Sequence, residues 1–102
     1  ARSLDLTSVG DQWPLIRYLM DDPVYFAQYQ QDLQETLASA FPADALTAKI
    51  EAYHDLIAPY VAAETSSATQ LDSPEAFDQA AQSLSDYIQQ RYQEVQAYLA
   101  SA

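Results

Sequence analysis

The sequence predicts an all-α protein in which a short N-terminal helix precedes three long antiparallel helices, arranged as an up-down-up bundle. Two observations support this prediction. Apolar residues recur every three or four positions, the spacing of one helix face, through segments that prolines open or interrupt. No segment alternates apolar and polar residues as a strand does. The 102 residues suffice for a single domain, divided into an N-terminal apolar segment over 1–22 and a bundle over 23–102.

Two helix starts are marked by a capping residue followed directly by proline. Asp22 precedes Pro23, and Ser73 precedes Pro74, so each side-chain oxygen can accept from the first free N–H groups while proline supplies a helical φ angle. These starts predict one long helix over 23–39 and another that runs from Pro74 almost to the C-terminus.

The remaining long helix is predicted over 42–63, before a small, polar stretch at 64–73 that we expect to be the longest internal loop. Pro59 falls on the polar side of this helix, where water can reach the carbonyl that proline leaves unbonded, so we expect a kink rather than an end. The apolar stripes of the three helices are predicted to form the core. They comprise Phe26, Tyr29, Leu33 and Leu37, then Leu46, Ile50, Tyr53, Ile57 and Tyr60 or Val61, then Phe77, Ala81, Leu84, Ile88, Val95 and Leu99.

The segment WPLIRYLM, at positions 13–20, is predicted to be a short helix that is apolar nearly all round. One face of a bundle is too narrow to cover all of it. Two arrangements remain open. The segment, with Trp13 and Ile16, tucks across the bundle, or it packs against protein outside this chain and self-associates when that protein is missing.

The composition limits the classes of function. Fifteen acidic residues against four basic residues give a formal net charge of −11, which repels nucleic-acid phosphates and anionic lipid surfaces. The single glycine, Gly10, cannot build a dinucleotide turn or a P-loop, since each needs several residues without a Cβ. The absence of cysteine excludes thiolate metal sites and cysteine nucleophiles. We therefore expect neither a nucleic-acid partner nor a membrane partner.

The candidate catalytic and metal residues form no complete site. Glu51 and His54 have the E-x-x-H spacing of di-iron bundles, but that motif must occur twice and the chain has one histidine. Asp21 and Asp22 are adjacent carboxylates, yet Asp22 is explained as a helix cap, and Asp21 lies four residues after Arg17, as in an ordinary surface ion pair. The serines lie where nothing positions them for a Ser-His-Asp site. We predict no catalytic, cofactor-binding or metal-binding residue in this chain.

Arg91 is the charged residue that simple core packing explains least. It falls inside the apolar stripe of the last helix, where arginine is seldom buried unless it is paired. Two interpretations remain open. The stem packs at the edge of the stripe beside Glu94, one turn on, or the guanidinium forms an ion pair with a carboxylate of another helix, with Asp22 or Asp55 as the expected partner.

Three segments share a scattered pattern of residues with a known family. They are GDQWPLIRYLMDDPVYFAQYQQDL, AKIEAYHDLIAPYVAAE and SPEAFDQAAQSLSDYIQQRYQEVQAYL. With a PLI-R-L-DD-P-Y opening, an I-Y-x-x-L-I-x-P-x-V middle helix and a final F…L…I…R helix, the chain resembles the C-terminal helical region of the spore coat protein H (CotH) kinase family. The residues that carry the resemblance are Pro14, Leu15, Ile16, Arg17, Asp22, Pro23, Tyr25, Ile57 and Arg91.

The resemblance implies a function for the parent protein rather than for this chain. Members of the family resemble atypical, secreted or envelope-associated kinases that phosphorylate serine with ATP and a divalent metal, through residues upstream of this region. The chain would then be a non-catalytic helical subdomain whose partner is the kinase-like lobe of the same protein. The second hypothesis is a free-standing acidic helical module that binds a basic or helical partner. A much longer natural reading frame with an upstream acidic metal site would favour the first.

Overall fold

The computed structural model describes residues 3–64 and 72–102. Within these ranges the chain forms helices and no strand, so the predicted all-α class is confirmed. The helices are α1 (Pro14–Asp21), α2 (Pro23–Ser39), α3 (Ala43–Ala63) and α4 (Pro74–Ser101).

The starts of α2 and α4 follow the predicted caps. The Asp22 carboxylate accepts hydrogen bonds from the backbone N–H of Val24 at 2.9 Å and of Tyr25 at 3.3 Å. Ser73 Oγ accepts from the backbone N–H of Ala76 at 3.0 Å. A proline occupies the first position of both helices. Both predicted starts are therefore confirmed, and each cap supplies an acceptor for N–H groups that the first helical turn leaves unpaired.

α3 begins one residue later than predicted and continues through its internal proline. Pro42 has an extended backbone, with φ −75° and ψ 99°, and the helix starts after it. Pro59 lies inside the helix and is exposed, as predicted. Water can therefore reach the carbonyl of Asp55, which has no N–H partner four residues on. Of the predicted loop at 64–73, residues 65–71 lie outside the described residues.

The chain divides into two compact units. The first unit comprises Ala1–Phe41 and Gln93–Ala102, and the second unit comprises Pro42–Tyr92. α1, α2 and the end of α4 therefore belong to the first unit, whereas α3 and the larger part of α4 form the second unit.

The N-terminal segment of the first unit, residues 3–13, is a series of turns that leads into α1. The N–H of Leu6 donates to the Ser3 carbonyl at 3.2 Å, and the N–H of Val9 donates to the Leu6 carbonyl at 3.0 Å. Leu6 has a φ of 54°, in the left-handed region that reverses the chain direction. Val9 is buried, and α1 contacts α2. The segment is thus held by local backbone bonds and by one buried apolar side chain.

The second unit is a pair of helices joined by side-chain contacts. Ala43 at the start of α3 and Ile88 in α4 are buried. Next to them, Gln89 Nε2 donates to Asp44 Oδ1 at 3.2 Å and to Thr47 Oγ1 at 3.3 Å. These two polar contacts join the first turns of α3 to the middle of α4.

The predicted apolar core is only partly buried. Among the described residues, the buried apolar side chains are Val9, Ala43, Ile88 and Val95. The predicted core residues that are instead exposed are Tyr53, Ile57, Tyr60 and Leu84. Their assignment to the core is wrong because α3 and the part of α4 in the second unit have only one helical neighbour within that unit. A helix with one neighbour buries only the apolar side chains that face this neighbour, and the rest of its apolar stripe stays exposed.

Candidate functional site

The second unit contains a cavity of about 400 Å³ between α3 and α4, which we call the α3–α4 cavity. The lining residues recur on each helix at spacings that keep them on one side, since neighbours on a helix surface lie three or four residues apart. Acidic and polar groups dominate the lining. The residues are Ile50, Glu51, His54 and Asp55 from α3, and Asp78, Ala81, Gln82 and Ser85 from α4.

His54 connects the two helices at this cavity. Its Nε2 lies 2.7 Å from Asp78 Oδ1 on α4, and its Nδ1 lies 3.2 Å from Asp55 Oδ1 on α3. The imidazole also stacks on the Phe77 ring, with 4.7 Å between the ring centroids and an interplanar angle of 10°. The histidine is therefore fixed by three contacts, two of which come from α4.

The contacts of His54 determine its protonation. Both ring nitrogens face carboxylate oxygens, which can only accept hydrogen bonds. A neutral imidazole has one N–H donor and an imidazolium has two, so the charged form satisfies both contacts. The hydrogen bond to Asp78, and then that to Asp55, raises the pKa of His54 above its ordinary value of 6.5. Below this raised pKa, His54 is a cation held between two carboxylates.

This arrangement does not form a Ser-His-Asp site, although all three residue types line the cavity. Ser85 is buried there. Both nitrogens of His54 are occupied by carboxylates, so neither is available to accept the proton of a serine hydroxyl. Glu51 lies on the cavity lining with His54, but the described residues contain no group of three or more His, Cys, Asp or Glu side chains that could hold a metal ion.

Asp21 and Asp22, adjacent in sequence, have separate roles. Asp21 Oδ1 lies 2.9 Å from Arg17 Nη2, which confirms the predicted ion pair, and Asp22 caps α2. Arg17 is more than a surface residue, because its Nη1 also donates to the carbonyls of Leu6 at 2.8 Å and Val9 at 3.1 Å. One guanidinium therefore joins α1 to the N-terminal segment. The sequence carries no signal for this contact, since every residue has a carbonyl.

The other predicted structural residues are not among those that line the α3–α4 cavity. Trp13 is the residue before α1 and is exposed, Ile16 is half-buried on α1, and Pro23 is the first residue of α2. Arg91 is half-buried on α4 and takes part in an interaction. The carboxylate partner expected for Arg91 stays a prediction.

Tyr29 is bonded through its hydroxyl, whereas two other predicted core tyrosines are exposed. The Tyr29 hydroxyl donates to the Leu4 carbonyl at 2.6 Å, across 25 residues of chain. Tyr53 and Tyr60 are 61% and 76% exposed. Tyr29 thus adds a second side chain that binds the N-terminal segment.

Sequence reasoning missed Asp78 and Ser85 as members of a site. Ala81 was assigned to the core stripe of α4, whereas Ser85, four residues further on, was not. Two small side chains at this spacing leave room opposite a neighbouring helix, which is the signal that could have indicated a cavity.

None of the described helices combines the length and the apolar character that crossing a membrane requires.

The comparison with protein families decides the classification. A family model described as CotH kinase protein matches residues 3–95, which is most of the chain. The chain belongs to this family. The resemblance inferred from the sequence is confirmed. No curated protein and no solved structure matches the chain significantly.

In this CotH-family chain, the segment PLIRYLMDDPVY covers α1, the cap and the first turn of α2. Two of its residues fix local geometry: Arg17 binds the N-terminal segment, and Asp22 starts α2. The α3–α4 cavity also lies within the matched region, at residues 50–85. The family pattern thus covers both the junction of α1 with α2 and the cavity.

Proposed function

We propose that this chain is a non-catalytic, C-terminal helical region of a CotH-family kinase-like protein, and that it supports the upstream catalytic lobe by packing against it. The observation that carries the proposal is the amount of large apolar surface left exposed. Leu15 and Tyr18 on α1 are each 70% exposed, and Leu56 on α3 is 67% exposed. Exposed apolar surface of this extent is typical of an interface with other protein.

The small core supports the same conclusion. No large side chain is fully buried in the part of the chain that the structure describes. Helices in proteins obtain most of their stability from packing of an apolar face, and burial contributes about 25 cal/mol per Å². A lobe that covers the apolar faces of α1 and α3 would supply burial that the chain lacks by itself. The support is then mutual, because each part stabilises the other.

The proposal places the phosphotransfer chemistry of the parent protein outside this chain. One glycine cannot form a Gly-rich loop over phosphates, and four basic residues offer few cations to neutralise them. The carboxylates of the α3–α4 cavity would also repel a nucleotide. The isolated chain is therefore expected to show neither ATP hydrolysis nor autophosphorylation with magnesium or manganese. Either activity in purified chain would contradict the proposal.

We also propose that the three long helices run antiparallel to one another, in the up-down-up order predicted from the sequence. Only residues 40–42 separate α2 from α3, and short connections favour antiparallel neighbours. Distances between spin labels on α2 and α3 test this order, since antiparallel helices bring the end of one close to the start of the other.

Co-purification tests the supporting role. The region upstream of this chain and the chain itself are produced as separate polypeptides and mixed. We expect them to bind, and we expect the double variant Leu15→Ser, Tyr18→Ser to lose binding while its helical circular dichroism is kept. The control is Gln34→Ser, at an exposed polar position of α2, which should bind the upstream region as the unaltered chain does. Failure of the unaltered chain to bind would overturn the proposal.

The isolated chain should self-associate through α1. Its exposed Trp13, Leu15 and Tyr18 lack the protein that we propose to cover them. Light scattering at high protein concentration should show oligomers for the unaltered chain, and the Leu15→Ser, Tyr18→Ser variant should remain monomeric. If the unaltered chain is strictly monomeric, these side chains need no partner.

A free-standing acidic module is the alternative function. The formal net charge of −11 favours it, because such a surface attracts basic partners. It predicts binding to a basic partner and no binding to the upstream region, so the co-purification experiment separates the two functions.

A further inference from the structure

We propose that the α3–α4 cavity binds a primary ammonium group carried on an aliphatic stem. This chemistry occurs both in a lysine side chain of a partner protein and in a free alkyl diamine. The site is independent of the apolar surfaces of the proposed function, so either proposal can fail without the other.

The charge of the cavity favours a cation. Glu51, Asp55 and Asp78 line it against one imidazole, so its charge stays negative in either protonation state of His54. His54 contacts only the Oδ1 atom of each aspartate. In residues 3–64 and 72–102 the Oδ2 atom of each makes no hydrogen bond, and it can accept one from a ligand.

Ser85 gives a second and independent indication of a ligand. Its relative exposure is 7%, and it lines the cavity. Its hydroxyl makes no hydrogen bond within the part of the chain that the structure describes. Because Ser85 is buried except where it lines the cavity, its hydroxyl is open there to a hydrogen bond from a ligand or from water. An ammonium N–H donating to Ser85 Oγ would complete it.

The apolar part of the lining and the volume suit an ammonium on a stem. Ile50 and Ala81 provide apolar contacts for methylene groups beside the carboxylates. The volume of about 400 Å³ lies in the range of small-ligand sites and exceeds what a bare ion needs. No three side chains among the described residues converge as metal ligands, so the cavity suits an organic cation better than a divalent metal.

Binding must be coupled to the protonation of His54. A ligand ammonium and the His54 proton compete for the carboxylates of Asp55 and Asp78. The affinity for the ligand should therefore rise with pH, and by reciprocity the bound ligand should lower the pKa of His54. A structural role of the cavity alone would not produce this coupling.

The experiment is a titration followed by backbone-amide and histidine-ring NMR. The probes are Nα-acetyl-lysine N-methylamide and cadaverine, and the neutral control is Nα-acetyl-norleucine N-methylamide. We expect saturable shifts confined to residues 50–55 and 78–85 for the charged probes and none for the neutral control. Tighter binding of the capped lysine than of cadaverine would identify a partner side chain as the source, and the reverse order would identify a free amine.

Two variants connect the binding to named atoms. Ser85→Ala should weaken binding about 3- to 10-fold, the effect of one lost hydrogen bond, and Glu51→Gln should weaken it at least as much. The control is Glu35→Gln, which removes the same charge at an exposed position of α2, outside the residues that line the cavity, and should leave binding unchanged. The histidine titration of the unaltered chain, with and without probe, tests the coupling without any substitution.

Several outcomes would overturn the assignment. They are the absence of saturable shifts, equal binding of the norleucine control, unchanged binding in both variants, and a His54 pKa that the probe does not lower. Equal or tighter binding of magnesium or calcium with the same variant dependence would show a metal site instead.

Discussion

The two units of this chain use different kinds of polar contact. In the first unit, the Arg17 guanidinium donates to the carbonyls of Leu6 and Val9, and a tyrosine hydroxyl donates to a third carbonyl of the N-terminal segment. In the second unit, the contacts between α3 and α4 join one side chain to another, as between His54 and Asp78. The N-terminal segment of the first unit is therefore bound through backbone acceptors that do not titrate, whereas the contacts of the second unit include the titratable His54.

This difference predicts different responses to pH. Backbone carbonyls do not titrate, so they accept hydrogen bonds in the same way at every physiological pH. In the same N-terminal segment, hydrogen bonds from Thr7 lower the pKa of Asp5, so this carboxylate stays charged well below neutral pH. The contact made by His54 depends on a proton that is lost as the pH rises through the raised pKa of this histidine.

The largest effect is expected at Arg91, in the second unit. If its guanidinium is paired with a sheltered carboxylate, Arg91→Ala removes the packing of the stem and leaves that carboxylate unpaired, lowering the free energy of unfolding by about 2 to 4 kcal/mol. The comparison of urea midpoints with the parent measures this. A loss below about 1 kcal/mol would mean that the side chain lies at the edge of its stripe, as exposed pairs do.

Arg17→Ala should lower the free energy of unfolding by about 2 to 3 kcal/mol, because it removes charge-assisted hydrogen bonds to two carbonyls and to Asp21. Arg17→Lys should restore only part of this loss, since one ammonium lacks the planar fork that reaches several acceptors. The control is Lys49→Ala, which removes the same charge from an exposed position. If Arg17→Ala and Lys49→Ala lower the free energy of unfolding equally, the first unit does not rely on the hydrogen bonds of Arg17, and the distinction between the two units is wrong.

The sequence predicted well those features that depend on neighbouring residues. A carboxylate or hydroxyl directly before proline is sufficient for a helix start, so Asp22 and Ser73 were found as caps. The ion pair of Arg17 with Asp21 was also found, because it depends only on a spacing of four residues.

The features that sequence reasoning missed depend on which helices meet. Periodicity identifies an apolar face but not the number of neighbours that cover it, so Tyr53 and Tyr60 were assigned to a core that they do not enter. The pairing of His54 with Asp78 joins residues 24 apart, and nothing local indicates it. The same reason hid the carbonyl contacts of Arg17, which come from a segment of turns.

A smaller effect is expected from Tyr29→Phe, which removes the hydroxyl that donates to the Leu4 carbonyl. The loss of one neutral hydrogen bond should lower the free energy of unfolding by about 1 kcal/mol. Tyr18→Phe is the matched control, since Tyr18 is 70% exposed. Hydrogen exchange should localise the effect of Tyr29→Phe to residues 3–13. Faster exchange along α3 instead would contradict it.

The smallest effect is expected at His54, where partial exposure to water weakens the ion pairs. Because its pKa is raised in the folded chain, its contribution to stability is fully present below pH 6.5, its ordinary pKa, and is lost as the pH rises through the raised value. His54→Gln should therefore lower the urea midpoint at about pH 6 and change it much less at about pH 9.

Asp78→Asn should reproduce this pattern, because it removes the carboxylate that faces the histidine from α4. Asp11→Asn, at an exposed position outside both helices, should shift the midpoint equally at the two pH values. If His54→Gln also shifts it equally, the contact between α3 and α4 depends on packing, as with Phe77, rather than on charge.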